Sequence, residues 1–205
     1  LTRIAEVAAP LSAYAGVLGM NGLTAWLALT RVGRPQTGET VLVTTAAGAV
    51  GSLVGQIARA QGCRVVGLTG DDAKVALCRE RFGYDDAANY KSGDLAAAIS
   101  ALAPTGVDVL FDNVGGTILD CAIRQMNVGG RIVQCGTASI ANWNPPPTGL
   151  RNEREVLTRR LQWGGFVIFD HMAAFPEALA ALAPRVAAGD LAYEEDIRHG
   201  IAHAP

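Results

Sequence analysis

The sequence predicts a doubly wound parallel α/β fold. Three observations carry the prediction. Short apolar runs rich in β-branched residues alternate strictly with amphipathic segments of helical spacing. The first run leads into a turn of small residues, AAGAVG at 46–51. Several run ends carry polar, glycine-containing turns, and in a parallel sheet those ends share one edge.

Each element has its own reason. Residues 7–30 carry no charge, a length that spans a bilayer in principle. Pro10, Ser12, Gly16, Gly19, Asn21 and Gly22 interrupt the stretch, so it reads as a loop followed by a buried helix over 23–29. No basic segment precedes it, which argues against a signal peptide. Residues 40–45 (TVLVTT) read as a strand buried on both faces. Residues 49–61 place Val50, Leu53, Val54, Ile57 and Ala58 at helical spacing. A second strand over 64–68 follows, then a helix capped by Asp71 or Asp72 that runs to about Phe82. A short strand is expected over 87–90 and a helix over 94–102, stopped by Pro104. The fourth strand is 107–112 (VDVLFD), with a helix over 116–126 after it. The fifth strand is 130–135 (GRIVQC), followed past the proline-rich loop 142–149 by a helix over 152–162. The apolar run FVIF at 166–169 predicts the sixth strand, and 175–188 a last helix ended by Gly189. Six strands joined by right-handed helical crossovers make a six-stranded Rossmann-type sheet with helices on both faces.

Composition narrows the function. The chain has 205 residues, half of them hydrophobic and 18% charged, which suits one well-packed domain. A net charge of −2 with no basic stripe argues against nucleic-acid binding. Cys63, Cys78, Cys121 and Cys135 form no C-x-x-C pair, and His171, His199 and His203 stand at no ligand spacing from them. No metal site is therefore expected. Scattered thiols suit a reducing, cytoplasmic setting.

The glycine turn carries the chemistry. Gly48 and Gly51 leave room for a pyrophosphate to approach backbone N–H groups at a helix start. The competing reading is close packing alone, and Ala46 stands where the first glycine of G-x-G-x-x-G belongs. Asp71 and Asp72 lie near the offset at which an acidic residue binds the ribose of NAD, or they cap a helix. The strand tip 67–70 has no carboxylate, and Lys74 is placed to meet a 2′-phosphate or to lie on a solvated face. On balance the residues favour NADP. A methyltransferase shares the glycine turn, but Lys74 and the strand end 113–116 argue against it. Cys135 reads as a small buried residue, not a nucleophile.

These motifs together resemble the zinc-independent medium-chain dehydrogenase/reductases, of the prostaglandin reductase and 2-alkenal (curcumin) reductase type. The matching stretches are GMNGLTA at 19–25, GETVLV at 38–43, residues 46–56, GCRVVG at 62–67, KV at 74–75, NYK at 89–91, FDNVGG at 111–116 and GRIV at 130–133. The resemblance implies NADP(H) as cofactor and a small-molecule substrate, with hydride transferred to the β-carbon of an α,β-unsaturated ketone or aldehyde. It implies that Ala49, Val50 and Gly51, beside the Gly48 of the turn, hold the pyrophosphate and that the 2′-phosphate lies near Lys74 and Tyr90. It places Asn113 at the cofactor, Cys135, Gly136, Thr137, Ala138, Ser139, Phe166, Val167 and Ile168 along the nicotinamide half, and Met20 and Thr24 near the ring. It makes 1–205 the cofactor-binding domain, with 1–37 a helical lead-in and 38–205 the nucleotide-binding core. The family's GroES-like N-terminal domain and final C-terminal strand fall outside these residues, and the first residue is Leu1. Ala141 stands where relatives carry a tyrosine, so no catalytic residue is assigned. Nucleotide binding without catalysis, and quinone reduction, are the alternative readings. A homodimer through the apolar sixth strand is also expected.

Overall fold

The structure is a computed structural model and describes residues 9–201. Its first α-helix, α1 (Met20–Ala28), buries Leu23, Ala25, Leu27 and Ala28. It begins earlier than the sequence predicts and runs on as a π-helical turn, Leu29–Gly33, which Arg34 closes in the left-handed conformation (φ 45°). Among the described residues no helix is long and apolar enough to cross a membrane.

The alternation then unfolds as β1 (Thr40–Thr44), α2 (Gly51–Ala60), β2 (Arg64–Thr69), α3 (Asp72–Glu80), β3 (Asp86–Asn89), α4 (Leu95–Leu102), β4 (Val107–Asp112), α5 (Gly116–Ile123), β5 (Met126–Gln134), α6 (Glu153–Arg159), β6 (Gln162–Gly165) and α7 (Phe175–Ala187). The six strands form one parallel sheet in the order β3-β2-β1-β4-β5-β6. Helix starts follow capping chemistry. Asp71 accepts from the Lys74 amide at 2.8 Å, and Asp94 accepts from those of Ala96 and Ala97.

Alternation along the strands builds two apolar layers. Val41 and Val43 of β1, Val109 and Phe111 of β4 and Val133 of β5 pack with α1, α2 and α7. Their neighbours Leu42, Leu110 and Ile132 face the other way, onto α4 and α5. Full burial of a side chain such as Phe111 or Leu42 contributes about 1.5–3 kcal/mol. Central strands therefore read as unbroken apolar runs, because both of their faces are covered.

The sixth strand corrects the sequence reading. It is QWGG at 162–165, not FVIF at 166–169. Helix α6 stops at Arg159, Arg160 turns left-handed (φ 53°), and the Leu161 amide bonds back to Val156. The chain thus meets β5 four residues early, with Arg131 opposite Gln162 and Gln134 opposite Gly165. Gly164 permits that seat, since a Cβ there would lie 2.7 Å from Cγ1 of Val32. Phe166 only extends the pairing by one bond to Gln134 before the chain coils into a 3-10 segment, Ile168–Ala174. An edge strand is covered on one side only, so it needs no apolar run, and an apolar run does not make one.

Candidate functional site

The order 3-2-1-4-5-6 reverses between β1 and β4, and at such a switch point open α/β sheets place ligands beyond the carboxyl ends of the strands. The glycine turn follows β1 at that edge. The left-handed residue of the turn is Thr45 (φ 53°), which does the work a first glycine would do. Ala46 is fully buried, and its amide bonds to the Leu68 carbonyl. Gly67 faces it, where a Cβ would come within 2.5 Å of that of Ala46. Gly51 has no room for a side chain, because its Cβ would lie 2.3 Å from the Thr45 carbonyl oxygen. Helix α2 starts at Gly51 with no side-chain cap. The amides of Ala49, Val50 and Gly51 are used by no other described residue. This is an anion-binding arrangement: free N–H groups at the positive end of a helix.

Beside the turn, the tips of β1, β2 and β3 enclose a pocket of about 200 Å³. Thr45, Ala47 and Gly48 line one side, and Thr69, Gly70, Asp71, Lys74, Tyr90 and Lys91 the other. The Lys74 ammonium lies 3.2 Å from the Asp71 carboxylate, and the Lys91 ammonium sits 5.8 Å from the centre of the Tyr90 ring. The Lys74 amide, and then its ammonium, hold the Asp71 carboxyl below the usual carboxylate range. Asp72 points elsewhere and accepts from Asn89 at 2.9 Å. Of the two acidic candidates, only Asp71 faces the pocket. A second pocket, of about 190 Å³, lies across the turn and takes Asn21, Ala47, Gly48, Ala49, Ser52 and Tyr193 among its walls.

The tips of β1, β4 and β5 are tied by one buried carboxylate. Asp112 is fully buried and accepts four hydrogen bonds. They come from the Thr44 hydroxyl (2.8 Å), the amides of Val114 (3.2 Å) and Gly115 (2.8 Å), and the Gln134 amide nitrogen (2.6 Å). Gln134 in turn accepts from the Trp163 indole at 3.2 Å. The Asn113 side chain donates to the Thr44 carbonyl. The β5 turn rides on the β4 turn. Amides of Cys135 and Gly136 bond to the Asp112 carbonyl, that of Ala138 to Asn113 and that of Ser139 to Val114. Gly136 must be small, since its Cβ would lie 2.8 Å from the Asn113 carbonyl oxygen.

The residues expected at the site thus fall into groups. Gly48, Lys74 and Tyr90 share the first pocket, while Gly48 and Ala49 also border the second. Asn113 and Cys135, Gly136, Thr137, Ala138 and Ser139 form the paired rim at β4 and β5. Met20 and Thr24 sit one turn apart on α1 and line neither pocket. Phe166 is buried and stacks on His171 with ring centres 4.6 Å apart, Ile168 is half-buried, and Val167 is exposed. Burial pushes the Cys135 thiol up to about 11, which leaves it protonated and unreactive at neutral pH. Thr69, Lys91, Thr44 and Gln134 are assigned no site role by the sequence, although Lys91 stands in the NYK stretch and Thr69 in the strand tip. The one signal in the sequence was an aspartate closing the apolar run of β4.

The chain is similar to known proteins over almost its whole length. The chain is 43% identical over 207 residues to a 2-alkenal reductase (NADP(+)-dependent) of Nicotiana tabacum, covering all of this chain and 60% of that protein. It is 41% identical over 198 residues to prostaglandin reductase 1 of Bos taurus, covering 96% and 60%. The crystal structure of CurA in complex with NADPH from Vibrio vulnificus superposes with a TM-score of 0.88 at 35% identity, over 94% of this chain and 59% of that one. The chain therefore spans about 60% of the length of these curated relatives. Among the described residues no three His, Cys, Asp or Glu side chains gather in a group that could hold a metal ion. The family model described as zinc-binding dehydrogenase matches residues 49–184, and the chain belongs to that family.

Proposed function

We propose that the chain is the NADP(H)-binding part of a reductase acting on the C=C bond of α,β-unsaturated ketones and aldehydes. The observation that carries the reading is the pairing of a glycine turn with a pocket holding two ammonium groups, Lys74 and Lys91. Identity to an NADP-dependent 2-alkenal reductase supports it. In this reading Gly48, Ala49, Val50 and Gly51 receive the pyrophosphate, and Lys74 and Tyr90 the 2′-phosphate. Asn113, residues 135–139 and residues 166–168 flank the nicotinamide half, with Met20 and Thr24 beside the ring. When bound, NADPH supplies a hydride to the β-carbon of the substrate. Residues 1–37 serve as lead-in and 38–205 as nucleotide-binding core, and a GroES-like domain outside this chain completes the substrate cleft. A second copy pairing along the free edge of β6 makes a homodimer, and the four unpaired cysteines suit a reducing cytoplasm.

A narrower reading is nucleotide binding without turnover by these residues. It is favoured by the rim loop 137–142 (TASIAN), which offers no ionisable side chain as a proton donor. One experiment separates the readings: NADPH oxidation by the intact protein against a panel of enones, alkenals and quinones, with calorimetric titration of NADPH alongside. Turnover with enones or alkenals is expected. Tight binding with no turnover leaves the narrower reading, turnover with quinones alone reassigns the substrate class, and no binding overturns both. Binding at a hundredfold excess over Kd stabilises the fold by about 2.7 kcal/mol, visible as a raised Tm.

A further inference from the structure

We propose that Asp71 sets the cofactor preference of the pocket and admits the unphosphorylated dinucleotide, NADH, beside NADPH. The inference rests on the dinucleotide reading above and concerns a side chain that the reading leaves idle. Asp71 lines the same pocket as Lys74, Tyr90 and Lys91, at the carboxyl end of β2. That strand end is where a doubly wound sheet presents a carboxylate to the ribose hydroxyls of a dinucleotide lacking the 2′-phosphate.

The two oxygens of Asp71 have different tasks. Oδ1 accepts from the Lys74 amide and caps α3, which fixes the side chain in place. Oδ2 lies 3.2 Å from the Lys74 ammonium, and the side chain is half exposed towards the pocket. A 2′-phosphate drawn to Lys74 would therefore meet a carboxylate already on that ammonium. It must displace the ion pair and tolerate a like charge nearby, an opposition that the second ammonium, Lys91, offsets in part. A free 2′-hydroxyl meets no such opposition and donates to Oδ2, a charge-assisted bond. Asp72 cannot substitute, because Asn89 holds its carboxylate away.

The test is calorimetric titration of the intact protein with NADPH and with NADH, for the native chain, Asp71→Asn and Asp71→Ser. Both replacements keep an oxygen that caps α3 and remove the charge, and a thermal melt without nucleotide checks the fold. Loss of the repulsion is expected to tighten NADPH roughly fivefold in both variants. NADH is expected to weaken, so that the ratio of the two affinities moves by roughly tenfold or more. Raising the salt concentration should narrow the difference between native chain and variants. If both nucleotides bind and their ratio stays within twofold of the native value, the role of Asp71 is overturned. If neither nucleotide binds to any of the three proteins, the dinucleotide reading itself falls, and this inference with it.

Discussion

Asp112 ties strand ends together at the carboxyl edge of the sheet. Its four donors come from β1, from the turn after β4 and from β5, so one carboxylate fixes three strand ends. Asp112→Asn replaces one acceptor oxygen by a donor that faces other donors. It should cost about 2–3 kcal/mol in denaturant unfolding and speed amide exchange at Val114 and Gly115. An equally stable variant would show the network to be dispensable. Glycines give a second contrast at this scale. Gly51→Ala drives a Cβ onto the Thr45 carbonyl and should destabilise by about 1–3 kcal/mol, whereas Gly165→Ala meets nothing within 4 Å and should stay within about 0.5 kcal/mol of native. The need for Gly51 is written in the local motif. The burial of Asp112 is not, because its partners lie 68 and 22 positions away, at Thr44 and Gln134.

At the scale of elements, the central strands and their helices are legible in sequence to within a few residues. Val107–Asp112 is the stretch the sequence predicts, and the cap of α3 resolves to Asp71. Such elements are read well because each is a continuous local pattern: an apolar run buried on both faces, or a carboxylate just before an amphipathic turn. β6 is the exception. Its residues are Gln, Trp, Gly and Gly, and their strand conformation is imposed by the seat against β5 and by the left-handed exit at Arg160. The test of a dimer belongs on this edge. Trp163 stands 44% exposed there, so Trp163→Lys should halve the mass seen by sedimentation if two copies pair along β6. An unchanged mass in that variant would exclude edge pairing.

For the whole molecule, buried thiols add to the loss of stability at alkaline pH. Burial pushes Cys63 and Cys135 up to about 11 and Cys78 up to about 12, from an ordinary value of 9.0. The unfolded chain ionises these thiols first, so their stabilising effect is intact below pH 9 and is lost progressively between pH 9 and about 12. Denaturant midpoints should fall across that window, and Cys78→Ala should flatten the fall even if it lowers stability at neutral pH. An unchanged slope would remove Cys78 from the account. Sequence alone determined the parallel alternation, the glycine turn and the edge of the sheet that carries the polar turns. Those features follow from periodicity and steric demands within a dozen neighbouring residues. Tertiary structure decided which aspartate faces the pocket, where the edge strand lies and how one buried carboxylate ties the strand tips together. Each of those depends on groups far apart in the chain, and only the closed sheet brings them within hydrogen-bonding distance.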